Sequence, residues 1–371
     1  MTDIGQVPVE NSYDERYEAD GFQSLLAVLE NESAALHTAG AWPERQLSEM
    51  SRADVLGWLV PAEFGGAEIS PVELLTGYEK LAAACLTSVF VLTQRNAAIQ
   101  RLVRSRNAEL KSDLLSRLVE DSLFATVGIS HLTTSRQHWK QPTVRVEEVD
   151  GGFILNGDVP WVTGADRADV VITGGTLSDG RQILIALRTA SQGVAVQAPA
   201  PLLALNASRT ASIQLTAVFV PVTDLVAGPV ENVMQVAGGG PGSHTTSALA
   251  VGHSVAAVKL LQAEAEQRGE LQSSSEQLES EVRALRDALR EATEFQSDRL
   301  PLHLAAETLR RKSNSLALRS TQAALAASKG AGFVSGHPAA RMASEAMFFL
   351  VWSCPQPVVL ANIRELAGAE S

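Results

Sequence analysis

The sequence predicts an α+β chain of several packed units, with a helical first third, a β-rich middle and a helical last third. Three observations predict it. The 371 residues exceed what one simple core organises. Hydrophobic residues make up 45% and charged residues 19%, an ordinary globular balance. The patterning also switches twice, near Leu123 and after Val230, from Ala- and Leu-rich segments to β-branched alternation with Gly turns and back. The expected units are 1–122, 123–230 and 231–371.

In the first unit, Phe22 to about Ala39 carries Leu25, Leu26, Leu29 and Ala35 at helical spacing. Leu47 to Val60 reads as a second helix followed by a short apolar strand or turn, GWLVPAEFGG. Ser70-Pro71 has the form of a helix start, Ser as N-cap and Pro at the first position. Val72 to about Arg104 then reads as one or two long helices, and Asn107 to Val119 as another. In the middle unit, TVRVEEV and FILNG flank Asp150-Gly151-Gly152, a hairpin signal. ADVVITGG, QILIALR, GVAVQAP and ASIQLTAVFVP follow as short strands, which suggests a compact sandwich or barrel. The last unit holds four long candidates: Ser243 to Arg268, a segment with Leu271, Leu278, Val282, Leu285 and Leu289 at near-heptad spacing, Leu302 to Lys329, and Ala339 to Leu350. Such spacing suits antiparallel bundle packing.

Net charge is −12 and the pI about 5.1, so no basic face is concentrated for nucleic acid. Cys85 and Cys354 lie far apart, which argues against a disulfide framework and for reduced thiols in the cytoplasm. The polar, acidic start MTDIGQVPVENSYDERYEADGF has no signal-peptide pattern, and no apolar run reaches membrane-spanning length, so no membrane partner is expected. No G-x-G-x-x-G, P-loop, H-E-x-x-H, clustered Cys/His or G-x-S-x-G pattern is present, and no metal is expected. GGGPG at 238–242 reads as a loop.

A set of individually weak motifs follows in a fixed order: GWLVPAEFGG, EKLAAACLTSVFVL, FATVGIS, GDVPWVTGADRADVVI, VFVP and LAASKGAGF. Together, from about Phe22 to Leu366, they resemble the acyl-CoA dehydrogenase superfamily. The resemblance implies an N-terminal helical domain, a small middle β-barrel, a C-terminal four-helix bundle, and FAD as cofactor. It implies a homodimer or homotetramer, because cofactor contacts in that fold cross the bundle interface. The implied partners are an acyl thioester or another small molecule, with an electron-transfer flavoprotein or a flavin reductase as redox partner.

An isoalloxazine ring needs an aromatic surface beside it and hydrogen-bonding groups along its rim. By the resemblance, Ser130 faces the pyrimidine edge, Trp161 borders the ring and Thr163 reaches the N5 side. The plainer reading is that Trp161 is core and Thr163 an ordinary strand residue. Arg268 falls where the family has an Arg for the pyrophosphate, though GELQ follows it here. Gly330 and Gly332 resemble the family's Gly-rich turn, with Lys329 replacing its first Gly. A guanidinium binds two phosphate oxygens at once, and Gly lets backbone N–H groups approach them.

Removing the α-proton of a thioester requires a carboxylate within hydrogen-bond reach. Matching on Arg341 and Glu345 puts Trp352 at the family's aromatic, on the substrate side, and Ser353 at its catalytic Glu. The alternative family position, on the first bundle helix, falls on Gly252, followed by His253. Neither is a carboxylate. After Ser130 the chain reads His131-Leu132-Thr133-Thr134-Ser135-Arg136 in place of the family's Glu-Pro and Gly-Ser-Asp, with Ser135 and Arg136 on the substrate side. Three readings stay open: α,β-dehydrogenation with hydride transfer to FAD and His131 or His253 as base, a flavin monooxygenase of the same fold using reduced flavin and dioxygen, or a non-catalytic relative. Ser353-Cys354-Pro355 also reads as a helix stop, Pro355 and Pro357 ending it and Cys354 buried and inert.

Overall fold

A computed structural model describes residues 12–133, 142–238, 244–295 and 301–369. The first six helices are α1 (Ser12–Glu18), α2 (Asp20–Ala39), α3 (Glu44–Arg52), α4 (Pro71–Ala84), α5 (Leu86–Arg104) and α6 (Ala108–Val119). Ser70 forms a full capping box with Glu73 ahead of Pro71, and Asn107 caps α6 by accepting from the Leu110 N–H. The long helical stretch divides at Cys85, whose extended backbone (φ −156°) separates α4 from α5. The segment after α3 forms two short 3₁₀ turns rather than a strand, Val55–Gly57 and Ala62–Phe64. Fully buried Arg95 anchors that region, donating from Nη1 to the Leu56 carbonyl (2.6 Å) and from Nη2 to that of Leu118.

The strands are β1 (Ala125–Gly128), β2 (Val144–Val149), β3 (Gly152–Val162), β4 (Val170–Leu177), β5 (Gln182–Arg188), β6 (Val194–Val196), β7 (Ala211–Pro221) and β8 (Leu225–Val230), with α7 (Ser130–Thr133) after β1. They pair in the order β6-β7-β3-β2-β4-β5-β8, and β1 joins β4 in parallel. Among the described residues β6 and β8 are not paired to each other, so the ladder is an open path. The Asp150-Gly151-Gly152 hairpin forms as expected: Gly151 takes φ +74°, and Val149 opposes Gly152. Buried Val144, Leu155, Val159, Val171, Ile183, Ile185 and Val218 fill the interior of the sheet region. Ser105 Oγ donates to the Val226 carbonyl (2.7 Å) and Asn107 Nδ2 to that of Thr223 (2.7 Å), tying the helical start to the sheet.

The remaining helices are α8 (Val233–Val236), α9 (His244–Gln267), α10 (Gln272–Glu294), α11 (Ala306–Ala327), α12 (Lys329–Gly332), α13 (Pro338–Ala346) and α14 (Gln356–Leu366). Leu278, Val282, Leu285 and Leu289 of α10 bury against Val251, Val258 and Leu261 of α9 and Leu309 and Leu316 of α11. The sequence reading missed α14. Pro357 sits in its first turn, where a missing N–H costs nothing, so the prolines that signal a stop also open a helix. No helix among the described residues is long and apolar enough to cross a membrane.

Candidate active site

The apolar run AMFFLVWSCP closes α13 at Ala346, tightens into a 3₁₀ turn over Met347–Leu350, and reaches Trp352 and Ser353 before α14. Phe348 and Trp352 stack at 5.2 Å with an 11° interplanar angle, and Phe90 of α5 meets both edge-on, at 4.8 and 5.0 Å. Ser353 is exposed and takes φ +48°, a left-handed conformation that disfavours a side chain. The segment hangs on two buried polar residues of α11, one turn apart. Arg310 Nη2 donates to the Trp352 carbonyl (2.8 Å), and Asn314 Nδ2 donates to the Phe349 carbonyl (3.0 Å). The Cys354 thiol donates to the same Phe349 carbonyl at 3.1 Å, and Cys354 is half-buried.

Arg310 is 0% exposed and meets no carboxylate among the described residues; its guanidinium lies 5.8 Å from the Phe349 ring and 6.0 Å from that of Trp352. Among the described residues its Nε and Nη1 have no hydrogen-bond partner, nor has Asn314 Oδ1. Burial lowers the Arg310 pKa, while the neighbouring Cys354 opposes the shift.

Neither alternative base position offers a carboxylate to solvent. A Cβ on Gly252 would lie 2.2 Å from the Glu79 carbonyl oxygen of α4, so backbone occupies the space a side chain needs. His253 is 1% exposed, with Nε2 donating to the Met342 carbonyl (2.9 Å), which leaves Nδ1 bare and 4.0 Å from Glu345 Oε2. Burial pulls its pKa down to about 4. Glu345 is itself 1% exposed and accepts from Arg341 Nη1 (3.2 Å); burial raises its pKa and Arg341 opposes that.

These shifts predict opposite pH slopes. Unfolded His253 takes up a proton near its ordinary value and folded His253 only near 4, so its contribution is complete above 6.5 and is lost as pH falls towards 4. That loss is at most about 3 kcal/mol. Glu345 runs the other way: its raised folded value makes stability fall as pH rises through that value. Denaturant titrations of the wild type and of His253→Gln between these pH limits are expected to show a shallower acid-side loss in the variant. Equal slopes would overturn the assignment.

On the sheet side, Ser130 Oγ donates to the Pro160 carbonyl (3.2 Å), which joins α7 to the residue before Trp161. Trp161 is 59% exposed, so it is not core. Its φ of +58° at an irregularity in the β3–β7 register turns the indole out of the strand's alternation. Thr163 is 2% exposed, with Oγ1 3.4 Å from Thr210 Oγ1, which lies 2.9 Å from Ser208 Oγ. It therefore points into the sheet region's hydroxyl cluster rather than onto an open rim. His131 is buried, its Nε2 donating to the Gly174 carbonyl (2.9 Å) and its Nδ1 unpartnered; burial lowers its pKa.

At the far end of α9, Arg268 Nη2 donates to the Ala327 carbonyl and to Glu264 Oε2, both at 2.5 Å. That contact brings Arg268 to the turn holding Gly330 and Gly332. A Cβ on Gly330 would meet nothing within 4 Å, whereas one on Gly332 would strike Ser328 at 2.6 Å. Lys329 takes φ +52°, the conformation for which glycine is suited. Phe333 beyond it is 83% exposed and Val334 62%.

The structure thus joins Ser130 with Trp161, and Arg268 with the glycine turn. It places His131, on α7, against the Gly174 carbonyl of β4, and His253 inside the helical core. Ser135 and Arg136 lie outside the described residues. Sequence reasoning missed Arg310 and Asn314, though their spacing on one helix was available as a signal.

The N-terminal domain profile of the acyl-CoA dehydrogenases matches residues 25–122. The chain is 23% identical over 161 residues to benzylmalonyl-CoA dehydrogenase of Aromatoleum aromaticum, a match covering 42% of this chain and 41% of that protein. It is 22% identical over 161 residues to HsaA of Rhodococcus jostii, the oxygenase subunit of a flavin-dependent monooxygenase, covering 43% and 38%. The matched stretches thus span about two-fifths of these curated relatives. In three dimensions it is similar to butyryl-CoA dehydrogenase from Megasphaera elsdenii, with a TM-score of 0.79 at 16% identity, over 94% of this chain and 98% of that one. Residues 25–122 thus match the N-terminal domain of the acyl-CoA dehydrogenases, and the chain as a whole, with helices, sheet and helices in this order, has the fold of butyryl-CoA dehydrogenase.

Proposed function

We propose that the protein is a flavin-dependent oxidoreductase acting on a small organic substrate. The observation that carries this is Trp161: a large aromatic ring held 59% exposed at a left-handed backbone position that costs about 1–2 kcal/mol. Strain and exposure together serve a ligand ring better than they serve the fold. The residues present fit FAD. The Trp161 indole offers an apolar face, Ser130 braces the loop beneath it, Arg268 carries positive charge, and open Gly330 lets a phosphate approach the backbone. When bound, the flavin supplies two-electron redox chemistry, and the chain's own groups bind it, orient it and exclude water.

Of the two reactions open to this fold, the wall favours oxygen-dependent oxidation over α,β-dehydrogenation of an acyl thioester. Serine at 353 cannot take up an α-proton, Gly252 leaves no room for a carboxylate, and His253 is too weak a base and too buried. An oxygenase needs no such base. The partner fitting this reading is a flavin reductase, and that fitting the alternative is an electron-transfer flavoprotein.

Purified protein supplemented with flavin separates the two. The oxygenase reading expects tight uptake of reduced flavin and no anaerobic bleaching of oxidised flavin by saturated acyl-CoAs. Bleaching by any chain length would restore the dehydrogenase, and failure to bind either flavin redox state would remove both. Trp161→Gly provides a second check. It relieves the left-handed strain and buries nothing less of consequence, so its unfolding free energy is expected within about 1 kcal/mol of wild type. Its flavin Kd is expected to rise roughly tenfold or more. A variant that binds flavin as tightly as wild type contradicts the role of the indole.

A further inference from the structure

Away from these residues, α4 and α10 enclose a surface concavity of about 400 Å³ lined by Thr76, Glu79, Lys80, Arg283, Arg286, Asp287 and Arg290. The positions fall at i, i+3, i+4 on α4 and at i, i+3, i+4, i+7 on α10, so each helix turns one whole face to the opening. Four of the seven side chains are cationic and two are carboxylates, in a chain of net charge −12. The proposed flavin residues do not include any of them.

The wall between the helices is prebuilt. Arg286 donates from Nε to both carboxylate oxygens of Glu79 (2.8 and 3.0 Å) and from Nη2 to one of them, and the Glu79 side chain is 13% exposed. That pairing occupies Glu79 and holds the Arg286 pKa above its ordinary value. The Thr76 hydroxyl is committed to the Val72 carbonyl (3.1 Å). Arg290 makes no ion pair among the described residues. Among the described residues Arg283 pairs with Glu279 at 3.2 Å, its side chain 59% exposed, and Lys80 pairs loosely with Glu18 at 3.7 Å and lies 6.0 Å from the Tyr17 ring. Three cations with weak or no partners among the described residues therefore border the opening, against the carboxylate of Asp287, whose charge acts on Arg286. Guanidinium forks match phosphate oxygens in pairs, whereas a protein of this net charge gains nothing elsewhere from concentrating cations. The volume exceeds what free phosphate fills and suits a molecule of mononucleotide size.

We propose that this concavity binds a phosphate group carried on a small molecule of mononucleotide size, with Arg283, Arg290 and Lys80 holding the phosphate and the Arg286–Glu79 pair as its floor. The site is independent of the oxidoreductase reading.

Calorimetric titration of flavin-saturated protein tests it, with ADP, inorganic phosphate and adenosine as separate probes. Saturation with flavin matters because ADP is half of FAD and competes for its site. ADP is expected to bind saturably, and adenosine is not. Inorganic phosphate is expected to bind more weakly than ADP, and phosphate binding as tightly as ADP would overturn a ligand of mononucleotide size. The Arg283→Gln/Arg290→Gln double variant is expected to unfold at the wild-type temperature and to bind ADP about a hundredfold more weakly, roughly tenfold per guanidinium. Absence of ADP binding, equal binding of adenosine, or unchanged affinity in the folded double variant overturns the proposal. If the protein proves unable to hold flavin, the double variant still reports on this concavity alone.

Discussion

Replacing Gly252 by alanine is expected to destabilise the fold by about 3 kcal/mol, although alanine is the better helix former by about 1 kcal/mol. The added methyl would stand 2.2 Å from the Glu79 carbonyl oxygen, 2.9 Å from its carbon and 3.0 Å from Ala82 Cβ. Two of those atoms are backbone, so no rotamer change relieves the contact and α4 must move away from α9. Both helices share apolar clusters, Leu75 with Val251 in one and Leu81 with Leu249 in the other, so displacement also opens packed surface. Gly269, whose Cβ would meet nothing within 4 Å, is the control and is expected to tolerate alanine within about 0.5 kcal/mol. Urea midpoints at matched slopes read both values. A Gly252→Ala protein as stable as wild type would mean that the helices do not approach this closely. The functional consequence is larger than the number. Gly252→Glu should not restore a carboxylate base, because the helix pair has no room to seat one.

The second large effect concerns Arg310, and there the two substitutions should separate. Arg310→Ala removes a fully buried side chain, leaves the Trp352 carbonyl without its donor and abandons the rings of Phe349 and Trp352. A loss of about 3–4 kcal/mol is expected, as for other large buried truncations. Arg310→Met keeps much of the volume and deletes a cation that, among the described residues, has no carboxylate and two unpartnered nitrogens. Its cost is expected below about 1 kcal/mol, because burying an unpaired charge is itself expensive. If methionine proves as damaging as alanine, the guanidinium is compensated in a way the present contacts do not include. In both variants the Trp352–Cys354 segment loses one of its two tethers, Asn314 remaining. Labelling of half-buried Cys354 by a thiol reagent should therefore quicken even where the methionine variant is fully stable.

Much of the architecture was legible in the chain because local chemistry and tertiary need agree there. Ser70-Pro71 and Glu73 specify a helix start, Asp150-Gly151 specifies a turn, and the Leu278–Leu289 spacing specifies a bundle face. The errors fall where one residue type serves two ends. Pro355 and Pro357 read as a stop and also open α14, while of the two readings of GWLVPAEFGG, strand or turn, the turn is the one that forms. Of the candidate site, Trp161, Ser130 and the absence of a Glu at Ser353 were named from the family resemblance, and the hydrogen bond from Ser130 to the Pro160 carbonyl links the first two. The inward turn of Thr163 was not legible, since it depends on Thr210 and Ser208, 47 and 45 residues further along the chain.

The sequence by itself supplied the order of helices and strands, the likeness to the acyl-CoA dehydrogenases and the lack of a carboxylate at Ser353, because periodicity, turn chemistry and residue identity are properties of neighbours in the chain. Tertiary structure alone decided that a side chain at Gly252 would meet the Glu79 backbone, that Arg310 holds the Trp352 carbonyl from α11, that His253 is buried with a lowered pKa, and that seven residues of α4 and α10 face one opening. Each of those depends on how closely two distant segments approach. Steric exclusion, desolvation and hydrogen bonding act over a few ångströms of space, whatever the separation in sequence.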